Sequence, residues 1–86
     1  MLGDDFFTNV TELDLSRTEI ADEGLTHLEW LPRLRSLSLG ERVTDAGVQY
    51  LERLPQLRTL KLARTQITDA GIQRLQKALP SCTIRR

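Results

Sequence analysis

The side chains able to do covalent or metal chemistry are few and far apart. Cys82 is the only cysteine and His27 the only histidine in 86 residues. One thiol excludes an internal disulfide framework and a cysteine-based zinc site. As a nucleophile, Cys82 would need a nearby base and a lowered pKa; its place in the sequence reads instead as an apolar plug at a leucine position. His27 lies between Leu25 and Leu28 and reads as a solvent-facing helix residue. Each glycine is isolated, so no phosphate-cradling loop is present. Asp22, Asp45 and Asp69 recur at near-constant spacing. A calcium stack needs several carboxylates around one ion, whereas an aspartate heading a helix is a familiar N-cap, and capping is the reading adopted. The expectation is no cofactor, no metal and no enzymatic activity.

That spacing belongs to a repeat, which governs the rest. From Val10 the chain divides into units of 24, 23 and 25 residues, at 10–33, 34–56 and 57–81. Equivalent positions hold Leu13, Leu37 and Leu60; Leu15, Leu39 and Leu62; Gly24, Gly47 and Gly71; and Pro32, Pro55 and Pro80. Each unit changes period midway. The paired leucines of the first half lie two apart, on one face of a strand. The second half has helical spacing: Leu25, Leu28 and Leu31, then Val48, Leu51 and Leu54, then Ile72, Leu75 and Leu79. Ala21-Asp22, Thr44-Asp45 and Thr68-Asp69 precede these stripes as caps, and a proline follows each stripe. Every unit therefore reads as strand, turn, short helix and return. One strand and one helix cannot hide these leucines, but stacked copies can. Glycine in a first helical turn costs up to about 1 kcal/mol against alanine, so its repetition predicts a close approach of each helix start to its neighbour.

The segments Leu34-Arg35-Ser36-Leu37-Ser38-Leu39 and Leu57-Arg58-Thr59-Leu60-Lys61-Leu62 resemble the leucine-rich repeat, L-x-x-L-x-L. Ile67-Thr68-Asp69-Ala70-Gly71-Ile72 is similar to a bacterial subtype in which T-x-I-T-D-x-G-L follows the strand. The resemblance covers residues 10–84. It implies an α/β fold, a right-handed, ribonuclease-inhibitor-like solenoid with short parallel strands on the concave face and helices on the convex face. It also implies protein recognition through the concave strands. The chain departs from the family at Thr18, Arg42 and Thr65, where asparagine or cysteine is usual, and at Ala21, where threonine is. The expected hydroxyl ladder of Thr18 and Thr65 would break at the central unit.

A single domain, 1–86, is expected, with an N-terminal cap or remnant repeat at 1–9 and a C-terminal cap strand at 82–86. Phe6 and Phe7 would cover one open end of the core. Trp30 and Tyr50 are assigned to core edges. Alternation places Glu12, Ser36 and Thr59 in one column of the strand face, and Asp14, Ser38 and Lys61 in the next. Arg17, Glu41 and Arg64 would pair as a surface ladder. Arg35 and Arg58, in consecutive strands, are the leading carboxylate or anion candidates. These eight residues, Glu12, Asp14, Arg35, Ser36, Ser38, Arg58, Thr59 and Lys61, form the candidate protein-binding surface.

Twelve acidic and twelve basic side chains cancel. Zero net charge argues against a nucleic-acid clamp or an anionic-membrane binder. No stretch approaches the about 20 apolar residues of a membrane span, and no secretory signal opens the chain. A cytoplasmic location is expected. Charge is unevenly placed, however: residues 1–43 carry a net −5 and residues 44–86 a net +5. In a stack this becomes an axial dipole, which allows head-to-tail association of copies. The expectation is thus a non-enzymatic interaction module for an unidentified protein. The alternative is a structural or self-associating capping piece of a longer array.

Overall fold

The computed structural model describes residues 9–86. Phe6, Phe7 and most of the expected N-terminal cap lie outside these residues. Four strands, β1 (Glu12–Asp14), β2 (Ser36–Ser38), β3 (Thr59–Lys61) and β4 (Thr83–Arg85), pair in sequence order into one parallel sheet. The register joins Leu13 to Leu37, Leu37 to Leu60 and Leu60 to Ile84. The result is an α/β repeat fold, each helix covering the apolar face of the sheet.

The leucine spacing explains the core. Leu37 and Leu60 are 0% exposed, whereas Leu13 and Ile84, on the outer strands, are only half-buried. Burial of a leucine is worth about 1.5–3 kcal/mol, and here it is complete only with a neighbour on both sides. Among the described residues, none that is polar or charged is buried.

The helices are less uniform than the sequence suggests. The first, Asp22–Trp30, is a 3₁₀ helix. Ala21 offers it no side-chain cap, and Thr26 Oγ1 donates to Glu23 O at 2.9 Å, competing for the backbone ladder. The second begins as a 3₁₀ turn, Asp45–Gly47, and continues as one α-helical turn, Val48–Leu51. The third unit, the longest, holds a full α-helix, Asp69–Ala78. Its polar positions are strong helix formers: Gln73, Arg74, Gln76 and Lys77.

The repeated aspartates are not the caps that their position suggests. The capping oxygens belong to threonines: Thr44 Oγ1 accepts from Ala46 N at 3.2 Å, and Thr68 Oγ1 from Gly71 N at 3.4 Å. Asp22 and Asp45 instead reach into the next unit, while Asp69 pairs with Arg86. Asp22 Oδ1 accepts from Thr44 N at 2.8 Å and its Oδ2 from Thr44 Oγ1 at 2.6 Å. Asp45 repeats both bonds with Thr68, at 2.8 and 2.6 Å. A hydroxyl has one proton and two lone pairs. Giving the proton to the preceding unit aims a lone pair at its own helix amide, so one threonine both joins two units and starts a helix.

This joint explains the glycines at positions 47 and 71. A Cβ at Gly47 would lie 2.5 Å from Asp22 Oδ1 and 2.9 Å from Leu25 Cδ1. At Gly71 it would lie 2.5 Å from Asp45 Oδ1. The carboxylate could clear it only by leaving its threonine. Gly40 answers a different crowding: a Cβ there would sit 3.0 Å from both Leu15 O and Ser16 O. The preceding turn folds onto this residue where the central unit is one residue short.

Thr18 and Thr65 make no ladder between units. Their hydroxyls donate to Leu15 O and Leu62 O of their own turns, at 2.8 and 3.0 Å. The turns are linked instead by Gln66, whose backbone N donates to Val43 O at 2.8 Å and whose Nε2 donates to Glu41 O at 2.7 Å.

Two predictions follow from the joint. Gly47→Ala will lower stability in urea unfolding by about 1 kcal/mol or more, although alanine is the better helix former. Gly24→Ala will cost less, because its Cβ meets only the half-buried Ile20 side chain; equal losses would refute the steric role of the aspartate. The second prediction concerns acid. The Thr68 hydroxyl, then the Thr68 amide, hold the Asp45 carboxyl below the usual carboxylate range. The contribution of Asp45 is therefore complete above the unfolded value of about 3.9 and lost as pH falls through the lower folded value. Thr68→Val will raise the Asp45 carboxyl-carbon titration midpoint in NMR; an unmoved midpoint would disprove the bond's role.

Candidate functional site

The register sets the outward columns of the sheet. Glu12, Ser36, Thr59 and Thr83 align across the strands, as do Asp14, Ser38, Lys61 and Arg85. Asp14, Ser38 and Lys61 of the second column form one edge of an open groove of about 830 Å³ above the carboxyl ends of the strands. The turns after the strands supply the other edge, chiefly Arg17, Glu41 and Arg64.

The groove's acid is held first by hydrogen bonds. Asp14 Oδ1 accepts from Ser16 N at 2.9 Å and from Ser16 Oγ at 2.5 Å. The hydroxyl bond, then the amide bond, hold the Asp14 carboxyl below its usual range, so it remains an anion. Lys61 stands two strands away, about 10 Å by strand spacing, and after Arg17 its charge adds a smaller lowering. Ser38 lies between them. The column thus runs from anion through hydroxyl to cations at Lys61 and Arg85. Arg17, Glu41 and Arg64 do not form the expected ladder: among the described residues the ion pairs are Arg53–Glu29, Arg74–Glu52 and Arg86–Asp69.

Arg35 and Arg58 do not share this surface. They have the parity of the inward leucines, not that of Ser36 and Ser38, and emerge at the amino ends of the strands. There they line a separate recess of about 210 Å³ with Pro55, Gln56 and Ser81. The eight candidates therefore fall into a strand-face set of six and an arginine pair. Strict alternation from Leu37 and Leu60 would have separated them.

Elsewhere, Cys82 is half-buried against the core, and burial pushes its thiol pKa up, away from nucleophile chemistry. His27 is exposed, 6.1 Å from Trp30 in an edge-on arrangement. Trp30 covers no core edge; it is 74% exposed, whereas Tyr50 does pack against the core. Among the described residues, no three His, Cys, Asp or Glu side chains converge as metal ligands, and no helix is long and apolar enough to cross a membrane. The sequence reading missed the helix-face fork in which Arg74 Nε and Nη2 donate to Glu52 Oε2 and Oε1 at 2.8 and 2.9 Å. The signal was an acid and a base 22 residues apart, close to one repeat.

The state of Asp14 is testable. Ser16→Ala will raise the Asp14 carboxyl titration midpoint toward the ordinary range while leaving the sheet's amide spectrum intact. A midpoint unchanged from wild type would show that Ser16 does not hold the anion.

Comparison with known proteins accords with this architecture. No curated protein matches the chain. A family model described as Leucine Rich repeat matches residues 8–28 and again 54–75, together half of the 86 residues. These segments take in β1 and β3, Leu13 and Leu60, and the helices that cover them. With the stacked parallel strands and leucine core described above, the chain belongs to the leucine-rich repeat family.

Proposed function

We propose that the protein is a non-enzymatic interaction module that binds another protein across its strand face. Leucine-rich repeats generally mediate protein–protein interaction rather than catalysis. The observation that carries the reading is the open groove beside the Asp14–Ser38–Lys61 column. Its rigid backbone and separated charges suit a partner segment with a cation over Asp14 and an anion over Lys61. Glu12, Ser36 and Thr59 extend the contact along the strands. We read the units as the T-x-I-T-D-x-G-L subtype, coiled right-handedly with this face concave. Thr68, Asp69 and Gly71 at the signature positions support that reading.

A second reading, head-to-tail association of copies, draws on the same polarity. The outward column passes from Asp14 on β1 to Arg85 on β4, in line with the net −5 and +5 of the two sequence halves.

One comparison tests both. Affinity capture from the source cell with wild type, Ser38→Trp and Lys61→Glu is set against the helix-face variant Gln76→Glu. Binding through the strand face predicts one retained protein lost with Ser38→Trp and Lys61→Glu and kept with Gln76→Glu. Equal capture by all four forms would overturn it. Salt-sensitive self-association in light scattering would favour the second reading; a strict monomer at low salt would end it.

A further inference from the structure

Three of the arginines on this molecule are already engaged, Arg53 with Glu29, Arg74 with Glu52 and Arg86 with Asp69. Arg35 and Arg58 are not: neither pairs with a carboxylate among the described residues. They occupy equivalent positions in adjacent units, and Arg58 N donates to Arg35 O at 2.7 Å. Their side chains therefore leave the backbone one strand spacing apart, about 4.8 Å. No carboxylate lines the recess between them to offset their charges.

The recess that they share is built from donors. Gln56 Nε2 gives one proton to Leu31 O at 3.3 Å, which fixes the amide and leaves its second N–H free. Ser81 adds a hydroxyl, and Pro55 a rigid apolar wall without an amide proton. No carboxylate lines this space. The larger groove differs, because Asp14, Glu19 and Glu41 stand among its cations. A volume of about 210 Å³ admits a small group with a few waters. Guanidinium forks match the paired oxygens of a carboxylate or phosphoryl group better than a spherical halide.

We propose that the Arg35–Arg58 recess is a binding site for one small oxyanion, a carboxylate or a phosphoryl group, held between the two guanidiniums. The site stands apart from the strand-face groove and does not depend on that groove's partner.

Backbone amide NMR with added inorganic phosphate, sodium acetate, or sodium chloride at matched ionic strength tests the site. Phosphate or acetate will give saturable shifts centred on residues 35–36, 56–59 and 81–82, and chloride will not. Tighter phosphate binding would identify a phosphoryl ligand, and tighter acetate binding a carboxylate. Arg35→Gln with Arg58→Gln will weaken binding by about tenfold or more, equivalent to about 1.4 kcal/mol. Arg17→Gln with Arg64→Gln will leave it unchanged. Should the double variant lose the native spectrum, Arg58→Lys keeps the charge but removes the fork, and weaker phosphate binding is still expected. Shifts that chloride reproduces, that centre on Arg17 and Arg64, or that survive the loss of both recess arginines would overturn the proposal.

Discussion

The stack depends on a carboxylate in one unit holding a threonine in the next. Asp22 to Thr44 and Asp45 to Thr68 are the same two-bond joint made twice. Hydrophobic burial is larger in total, but it has no direction. The joint supplies direction. It sets the start of each following helix, and the leucine stripes then meet the sheet at the correct height. Hydrogen bonds to a charged acceptor are worth more than neutral ones, and these also place a helix start whose amides would otherwise lack partners. The glycine at each joint is the vacancy that allows a carboxylate so near a helix.

Much of the fold was legible because it is periodic. The leucine pairs located β1, β2 and β3, the Cys82-Thr83-Ile84 segment pointed to β4, and the alternation rule put Ser36 and Ser38 outward. Register followed from equivalent positions, since stacked units must align Leu37 with Leu60. What stayed hidden was whatever crosses between units. Asp45 heads its own helix in sequence, so local rules made it a cap; its true partner, Thr68, lies 23 residues on. Helix type was equally obscure. The absence of a hydroxyl at Ala21 and the back-bond of Thr26 are small local effects, and together they tipped Asp22–Trp30 toward 3₁₀ geometry.

The candidate surface was legible in part, for a related reason. Its strand-face members follow from parity alone. Arg35 and Arg58 were grouped with them because adjacency in sequence resembles adjacency in space; one step along a strand reverses the face. Trp30 was assigned to a core edge by size and hydrophobicity, yet it stands in solvent beside His27. The same separation organises the molecule chemically. Inward positions are aliphatic, chiefly leucine with isoleucine and valine, while outward ones vary from Glu12 to Arg85. Recognition can change on that face without disturbing the core.

The joint between Asp22 and Thr44 is interchangeable with that between Asp45 and Thr68. The central unit offers Asp45 to the unit after it and receives Asp22 through Thr44. Duplicating the central unit by recombination would thus recreate a valid junction on both of its sides, whereas Ala21 gives the first unit no hydroxyl with which to receive one. A shift of one residue within a strand would turn every leucine outward, whereas the turns already absorb such changes. Genes built on this plan can therefore alter copy number far more readily than they can alter the spacing inside a copy.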